Sequence, residues 1–323
     1  MVRWMRRVVA VVVLCVVVAA LGASYEYVAD RRDLANAPPP GRLIDIGGHR
    51  LHLWCEGQGT PVVIFDSSAG GTALDWYGVL HDVGTFTTAC AYDRAGMGYS
   101  DAGPLPRTSE RIADELAALV HRSDLRLPVL LVGWSLSGWY VRTYATRHES
   151  EVAGLVLVDS SHEDQAAKFT AIGIGPGIDL APYLPMAARL GALRLIPNPY
   201  VTRPDTVPEP IRRYVRATTY RPSYFQATYQ EELGTPESAD QVRSSRRTLS
   251  LPVVVLTAGQ GPVNIMNVWG PLQRDLLRLS NRSCQMVAAN SDHMIPYQAP
   301  DAVVRAVRIA IDAWKTSSTP ICS

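Results

Sequence analysis

Short apolar runs recur along the chain and are separated by longer segments in which apolar and polar residues are mixed. Several runs contain Val, Leu and Ile without a polar interruption, which is typical of strands buried on both faces of a parallel sheet. The Gly47-Gly48 pair predicts a two-residue β-hairpin turn between the first two strands. The pattern predicts strands at Leu43–Ile46, His49–Trp54, Val62–Phe65, Thr87–Tyr92, Val129–Val132, Leu155–Val158, Val253–Thr257 and Cys284–Ala288.

Segments between these strands repeat apolar residues at helical spacing. Pro300 and Asp301 suit the start of the last helix, because proline has no N–H to leave unpaired and aspartate favours the helix amino end. Alternating strands and helices predict an α/β fold with right-handed crossovers. The apolar positions that indicate two of the helices are Ile112, Leu116, Leu119 and Val120 in the first, and Val303, Val307 and Ile311 in the second.

One long interval breaks this alternation. More than ninety residues separate Val158 from Val253 without a strand-like run, and they are rich in Pro, Tyr and Arg. Amphipathic pieces at Tyr183–Leu195 and Glu209–Tyr220 predict helices. Because ligands bind at the carboxyl ends of strands in such sheets, we expect residues 160–250 to form a helical cap or lid. The core is then 42–159 with 251–316, followed by a tail at 317–323.

The amino-terminal segment has the pattern of a targeting sequence. Arg3, Arg6 and Arg7 precede an apolar run over residues 8–23, which predicts a signal peptide or an N-terminal membrane anchor over residues 1–24. The run is short for a spanning helix, which needs about 20 apolar residues. The basic cluster predicts a chain body outside the cytosol, anchored to the membrane, or secreted if the segment is cleaved. Residues 25–41 are interpreted as a polar linker that ends in prolines.

Charge and cysteine content narrow the possible partners. The 31 Lys+Arg residues nearly balance 30 Asp+Glu residues among 323, so the basic surface that nucleic-acid binding requires is not expected. Cys15 lies in the apolar segment, and an even number of cysteines in the exported portion suits disulfides. No pair has the C-x-x-C spacing of zinc ligands, so no metal is expected. The four remaining cysteines are Cys55, Cys90, Cys284 and Cys322.

The strongest chemical motif is the turn Gly133-Trp134-Ser135-Leu136-Ser137-Gly138, which follows a buried strand and precedes a helix. Small residues allow a sharp turn that exposes the Ser135 hydroxyl as a nucleophile. The last position of the G-x-S-x-G pattern is Ser137 instead of glycine. A serine nucleophile needs a histidine base. His293, between the last strand and the last helix, is the best candidate, and His162 is its rival.

These motifs resemble those of serine hydrolases with the α/β-hydrolase fold, over Arg42 to Trp314. The resemblance implies a mostly parallel eight-stranded sheet, helices on both faces and a helical cap between strands six and seven. It also implies an oxyanion hole formed by the amides of Ala69 and Leu136, although Ser67-Ser68 replaces the family's usual His-Gly pair. The motifs that carry the resemblance are Asp66–Gly71 with Asp75-Trp76, Asp93–Ser100, Gly133–Gly138 and the His293 loop.

The acid of the triad departs from the family's common position. Residues 257–264, after the seventh strand, contain no carboxylate. Asp159 ends the preceding strand, a position that some members of the superfamily use for the acid, and it is our candidate. Glu163, Asp164 and Asp292 stay open as alternatives, and Asp159 could instead cap a turn. The Asp93-Arg94 pair is interpreted as scaffold in which the two side chains pair with each other.

The function implied is cofactor-free hydrolysis of a small carboxylic ester by an acyl-enzyme route. A serine nucleophile argues against the dehalogenase and epoxide-hydrolase branches, whose nucleophile is a carboxylate. An aminopeptidase, a cofactor-free perhydrolase and a catalytically silent anchored binding protein stay open as alternatives. A hydrophobic ester is favoured by the apolar residues of the insertion, namely Phe169, Tyr183, Leu184 and Met186.

The resemblance also implies how the cysteines pair. In the family's strand order the second and fourth strands are neighbours, and Cys55 and Cys90 lie near the ends of those strands. Neighbouring strands are about 4.8 Å apart, which a disulfide can bridge. Cys284 begins the eighth strand and Cys322 lies in a tail that can fold back to it. We therefore predict Cys55–Cys90 and Cys284–Cys322.

Overall fold

The structure is a computed structural model and describes residues 2–175, 179–197 and 209–322. Its α-helices are α1 Val2–Asn36, α2 Tyr77–Gly84, α3 Ser109–Arg122, α4 Ser137–Arg147, α5 Gln165–Ala171, α6 Leu184–Arg189, α7 Glu209–Thr219, α8 Pro222–Leu233, α9 Thr235–Ser244, α10 Val263–Asp275, α11 Ile295–Gln298 and α12 Pro300–Thr316. Short 3-10 helices occur at Ala73–Trp76, Glu149–Glu151, Ala181–Tyr183, Ala192–Leu195 and Leu276–Leu279.

Eight strands form one sheet in the order β1-β2-β4-β3-β5-β6-β7-β8. The pairs β1–β2 and β2–β4 are antiparallel, and every other neighbouring pair is parallel. This architecture confirms the predicted α/β-hydrolase fold. The strands are β1 Arg42–Asp45, β2 Arg50–Glu56, β3 Val62–Asp66, β4 Ala89–Tyr92, β5 Val129–Trp134, β6 Val152–Val158, β7 Val253–Ala258 and β8 Ser283–Ala288.

Alternation of side chains along the central strands divides the core between the two faces of the sheet. On one face, Ile64 and Leu131 pack with apolar residues of α3 and α4, including Leu116. On the other face, Phe65 and Val132 pack with residues of α2 and α12. Because both faces are covered, the strands needed no polar side, which is why they appear in the sequence as continuous apolar runs.

Contacts between Cα atoms divide the chain into two compact units. One comprises Met1–Pro39 and Ile178–Tyr229, and the other comprises Pro40–Gly177 and Gln230–Ser323 with the whole sheet. The described residues between β6 and β7 form the helices α5 to α9. The sequence predicted such a helical interval, and its role as a cap stays a prediction.

The first unit contains the longest helix, α1. Its apolar part is long and hydrophobic enough to cross a membrane. The helix continues to Asn36, so residues 25–36 are not the linker that the sequence analysis expected. No glycine or proline interrupts them, and Glu26 and Asp33 face the same partner. Arg194 binds Glu26 Oε2 at 2.6 Å and Asp33 Oδ2 at 2.5 Å. A distant ion-pairing residue, which local sequence does not reveal, stabilises this extension.

Two disulfides join the pairs that the sequence analysis predicted. Cys55 and Cys90 lie directly opposite each other on β2 and β4, and their sulfurs are bonded. Cys284, in β8, is bonded to Cys322 in the carboxyl-terminal tail. Cys15 is exposed on α1 and free.

Loss of either disulfide is expected to lower the free energy of unfolding by about 2–4 kcal/mol, because the reduced unfolded chain gains conformational entropy. The bridges span similar separations of 35 and 38 residues. Replacing both cysteines of either pair by serine should therefore lower the free energy of unfolding by a similar amount. Cys15→Ser is the control, and its free energy of unfolding should equal that of the wild type. Urea titration in mild detergent measures the losses, and wild-type stability of either double variant would contradict the expectation.

Candidate active site

Ser135 lies on a sharp turn between β5 and α4. Its φ of 58° is in the left-handed region, which is unfavourable for a residue with a side chain. Three main-chain hydrogen bonds hold it there. The Ser135 N–H donates to the Val158 carbonyl at 3.0 Å, and the Ser135 carbonyl accepts from the amides of Gly138 at 3.1 Å and Ser161 at 2.9 Å. The strained turn is therefore fixed from β6 as well as from α4.

The two glycines of the motif are required by close packing. A Cβ at Gly133 would lie 2.7 Å from Val141 Cγ2, and a Cβ at Gly138 would lie 1.8 Å from Ser160 Oγ. Ser137 occupies the place of the motif's last glycine. It is fully buried, and its hydroxyl lies 2.8 Å from the Asp66 carbonyl oxygen. A serine therefore fits this position because it donates a hydrogen bond to the end of β3.

Gly138→Ala is expected to destabilise the protein by about 1–3 kcal/mol, the usual range for overpacking a filled site, because the new methyl group overlaps Ser160. Gly78→Ala is the matched control in α2. A Cβ there meets nothing within 4 Å, so the helix should gain about 0.5–1 kcal/mol. Urea unfolding of both variants measures the difference, and equal shifts would contradict the close contact.

A continuous chain of hydrogen bonds joins the three residues proposed from sequence as the triad. His293 Nε2 lies 2.9 Å from Ser135 Oγ, and His293 Nδ1 lies 2.7 Å from Asp159 Oδ2. An ionised carboxylate only accepts, so Nδ1 carries the ring proton and Nε2 is free to accept from the hydroxyl. This tautomer is the one that a general base requires.

Asp159 is held rigidly beneath the histidine. Its backbone has φ 41° and its N–H donates to the Leu256 carbonyl at 2.7 Å. Its second oxygen, Oδ1, accepts from the Ala258 amide at 2.9 Å and from Trp269 Nε1 at 2.8 Å. Both carboxylate oxygens of this buried residue are therefore satisfied. No local sequence signal pointed to Trp269, because it lies 110 residues from Asp159 in the chain.

The histidine loop is attached to the nucleophile's own strand. Trp134 Nε1 donates to the His293 carbonyl at 2.9 Å, and the two rings lie 5.8 Å apart. Asp292, an alternative acid, accepts from the Met294 amide at 2.8 Å. Its carboxylate therefore caps the loop, while the imidazole bonds to Asp159.

The rival base and the remaining acids have other partners. His162 is buried, and its Nε2 lies 3.0 Å from Asp275 Oδ2. Burial raises the pKa of Glu163, but the Arg142 guanidinium at 2.9 Å outweighs it and brings that pKa down to about 2. Asp164 forms an ion pair with Arg243 of α9 at 3.1 Å.

The segment after β3 forms a turn in which the Gly71 N–H donates to the Ser68 carbonyl at 2.9 Å. Ala69 is an exposed residue of this turn, and Leu136 directly precedes α4. The Ser67 hydroxyl donates to the Thr72 carbonyl at 2.6 Å. These contacts fix the backbone on which the first proposed oxyanion amide lies.

The expected pairing of Asp93 with Arg94 is wrong. Asp93 is buried and lies 2.7 Å from His52 Nδ1, and it also accepts from the amides of Ala73 and Tyr99. The Arg94 side chain points elsewhere and binds the carboxylates of two other residues. Asp93 and Arg94 directly follow β4, and their side chains have separate partners.

A cavity of about 490 Å³ opens beside the triad. Ser135, Asp159 and His293 line it, and Gln165 and Gln260 add polar groups. The Phe169 and Trp269 rings stack at 5.9 Å on one wall. Of the residues that the sequence suggested for a hydrophobic pocket, Phe169 belongs to this lining, whereas Tyr183, Leu184 and Met186 belong to the other unit. The apolar lining consists of Phe169, Ala258, Pro262, Ile265, Met266, Trp269 and Met294.

Curated relatives match parts of the chain. The chain is 33% identical to "Probable transporter efuK" of Hormonema carpetanum over 38% of this chain and 18% of that protein. It is 23% identical to the uncharacterized protein YqjL of Bacillus subtilis over 80% of this chain and 85% of that protein. It is 30% identical to the (lyso)-N-acylphosphatidylethanolamine lipase of Bos taurus over 31% of this chain and 30% of that protein. The chain spans less than half of the first relatives it matches.

Solved structures share the fold. An esterase from Thermogutta terrifontis has a TM-score of 0.62 at 21% identity, over 84% of this chain and 98% of that one. The epoxide hydrolase CorEH has a TM-score of 0.62 at 17% identity, over the same shares of the two chains. At these identities the likeness concerns the fold, which accommodates more than one hydrolytic chemistry.

The sequence profile of the alpha/beta hydrolase family matches residues 62–306. This range runs from β3 to α12 and includes the Ser135 turn and the His293 loop. Because the profile covers most of the chain and the sheet has the corresponding strand order, the chain belongs to the alpha/beta hydrolase family.

Proposed function

We propose that the protein is a serine hydrolase that cleaves carboxylic esters through an acyl-enzyme. The observation that carries this proposal is the hydrogen-bonded series Ser135 Oγ, His293 and Asp159, with distances of 2.9 and 2.7 Å. Ser-His-Asp triads with this geometry catalyse acyl transfer in proteins of several unrelated folds. Ser135 is the nucleophile, His293 the general base and Asp159 the residue that fixes the imidazole.

The mechanism follows from the direction of each hydrogen bond. His293 Nε2 takes the hydroxyl proton as Ser135 Oγ attacks the ester carbonyl, and Asp159 stabilises the imidazolium. The amides of Ala69 and Leu136 donate to the oxyanion. His293 then gives its proton to the leaving alcohol, and the same residues activate water to hydrolyse the acyl-enzyme. Every proton is carried by this chain's own residues.

A hydrophobic acyl or alcohol group fits the cavity best. Its seven apolar lining residues include Phe169 and Trp269, whose rings are stacked. Burial of apolar surface yields about 25 cal/mol per Å², so longer chains should bind more tightly until the cavity is filled. Among the similar proteins, one is named a (lyso)-N-acylphosphatidylethanolamine lipase and another a thermophilic esterase.

The nucleophile argues against epoxide opening, although an epoxide hydrolase shares the fold. That branch of the superfamily uses a carboxylate nucleophile, whereas this chain has Ser135 at the turn. Aminopeptidase and perhydrolase activities would use the same triad, and an assay with aminoacyl anilides separates the aminopeptidase from the esterase. A catalytically silent binding protein would not be acylated.

We also propose that α1 anchors the catalytic unit to a membrane and that the chain is exported. The apolar part of α1 is unburied, Arg3, Arg6 and Arg7 favour a cytosolic amino terminus, and two disulfides suit an oxidising compartment. Membrane fractionation followed by carbonate washing tests the anchor: protein released by the wash would contradict it.

The helical insertion, residues 160–250, is the proposed cap.

A panel of substrates tests the reaction class. Purified protein in detergent is assayed with p-nitrophenyl esters from acetate to palmitate, with styrene oxide and with aminoacyl p-nitroanilides. We expect turnover of the esters, with kcat/KM rising through the medium chain lengths. Turnover of the anilides alone would identify an aminopeptidase, turnover of the epoxide alone would contradict the serine mechanism, and no turnover would support a silent binding protein.

A further inference from the structure

We propose that Arg94 is a positioning residue of the oxyanion hole. Its guanidinium sets the direction of the Ala69 N–H through the Ser68 carbonyl, and Glu231 holds the guanidinium in place. The inference rests on the proposed ester hydrolysis, because the oxyanion forms only when Ser135 attacks a carbonyl. It assigns a role to a buried ion pair that the proton transfers do not use.

All five N–H groups of Arg94 have an acceptor, and the side chain is 1% exposed. Nε and Nη2 donate to the two carboxylate oxygens of Glu231 at 2.8 and 3.0 Å. Nη1 donates to Asp66 Oδ1 at 2.6 Å and to the Ser67 carbonyl at 2.7 Å. Nη2 also donates to the Ser68 carbonyl at 2.8 Å. The guanidinium therefore joins β3, the turn after it and α8.

The bond to Ser68 acts on one particular peptide group. The Ser68 C=O and the Ala69 N–H belong to the same peptide, which is trans. In a planar trans peptide the C=O and N–H point in opposite directions. A donor that fixes the Ser68 oxygen therefore directs the Ala69 N–H away from Arg94. Ser67 is buried whereas Ala69 is exposed, which agrees with an amide directed away from the buried guanidinium.

The charge of Arg94 adds to this geometric effect. A charged donor on the carbonyl polarises the peptide, and polarised peptides donate more strongly through their N–H. Glu231 binds the guanidinium with both oxygens, which fixes its plane. The Tyr140 ring lies 5.3 Å from Arg94 Cζ and limits movement on one face. Glu231, near the end of α8, therefore acts on the oxyanion amide through Arg94.

The same unit contains a matched ion pair that does not contact the turn. Arg107 is 2% exposed and donates from Nη1 and Nη2 to both oxygens of Glu115, at 2.6 and 2.8 Å. Replacement of Arg94 or Arg107 by lysine breaks a buried bidentate pair in either case. A merely structural role for Arg94 predicts similar consequences for the two variants, whereas a positioning role predicts different ones.

The first experiment compares Arg94→Lys with Arg107→Lys in hydrolysis of p-nitrophenyl acetate. Loss of one oxyanion donor costs about 10²–10³-fold in kcat. We expect Arg94→Lys, which misaligns such a donor, to lower kcat by about 10–100-fold with KM nearly unchanged. Arg107→Lys should keep the wild-type kcat. Equal losses of kcat in the two variants would overturn the proposal.

The second experiment measures the oxyanion hole directly. A trifluoromethyl ketone forms a tetrahedral adduct with Ser135 that carries an oxyanion, whereas the matching carboxamide stays planar. Transition-state analogues report interactions made only with the developing charge. Arg94→Lys should weaken inhibition by the trifluoromethyl ketone by the same factor as kcat and leave inhibition by the carboxamide unchanged. Parallel weakening of both inhibitors would overturn the proposal.

Glu231→Gln keeps the test decisive if Arg94→Lys does not fold. The amide keeps the volume of the side chain and removes one of the two oxygens that hold the guanidinium. We expect a loss of kcat of about 3–10-fold, the factor that corresponds to the net worth of one hydrogen bond, with the same selectivity for the trifluoromethyl ketone. Wild-type kcat in folded Glu231→Gln would overturn the role of Glu231. Absence of ester turnover in the wild type would instead contradict the proposed function.

Discussion

Ser135→Ala is expected to lower kcat for p-nitrophenyl esters by about 10⁶-fold, the size of the loss when a serine nucleophile is removed from a triad. The methyl group cannot attack a carbonyl, and His293 Nε2 loses the hydroxyl that lies 2.9 Å away. The cavity walls are unchanged, so affinity for a planar carboxamide inhibitor should stay close to that of the wild type.

Separate measurements of turnover and binding distinguish this loss from misfolding. Calorimetry gives the affinity of the carboxamide, and thermal unfolding shows whether the variant is folded. A folded Ser135→Ala protein that still hydrolyses esters at a tenth of the wild-type rate would contradict the role of Ser135. Joint loss of turnover, inhibitor binding and the unfolding transition would indicate that the Ser135 turn is needed for folding.

Asp159→Asn is expected to lower kcat by about 10⁴-fold, the loss found when a triad aspartate becomes an amide. Two donors, the Ala258 amide and Trp269 Nε1, bind one carboxylate oxygen of Asp159. The asparagine oxygen must stay with these donors, so its NH2 group faces His293 Nδ1. His293 Nδ1 then accepts a hydrogen bond from this NH2 group instead of donating one. The ring proton moves to Nε2, which can no longer accept from Ser135.

Asp275→Asn is the matched control. Asp275 pairs with the buried His162 at 3.0 Å, so the same substitution disturbs a histidine–carboxylate pair in the same unit without touching the triad. We expect wild-type kcat for Asp275→Asn. Steady-state kinetics with p-nitrophenyl acetate measures both variants. Near-normal kcat in Asp159→Asn would transfer the acid's role to Glu163, Asp164 or Asp292.

The sequence predicted the sheet because its strands are buried on both faces. Runs such as residues 129–132 and 253–256 contain no polar residue, and they lie in β5 and β7. The helix over residues 25–36, which follow the targeting sequence, was not predictable in this way. Residues 25–36 are rich in charged side chains, and their helix is stabilised by Arg194, which is 168 residues from Glu26 in the sequence. Local composition favoured a linker, and ion pairing within the first unit favours a helix.

For the candidate site, the sequence predicted the residues that end or follow strands. Ser135, Asp159 and His293 each follow a predicted strand, and parallel strands bring their carboxyl ends to one edge. Supporting residues on helices have no such signal. Trp269 bonds to Asp159 from α10, and Glu231 reaches Arg94 across 137 residues. Pairs of this kind depend on tertiary packing, which a single sequence does not reveal.

Reaction with a fluorophosphonate probe, followed by peptide mass spectrometry, tests the central proposal most directly. The probe is attacked by an activated serine and loses fluoride, which leaves one stable phosphonyl group on the oxygen. We expect stoichiometric labelling of Ser135 in the folded wild-type protein and none in Ser135→Ala or His293→Ala. Labelling of another serine, or an unlabelled Ser135 in protein whose fold is intact, would contradict the proposed serine hydrolase.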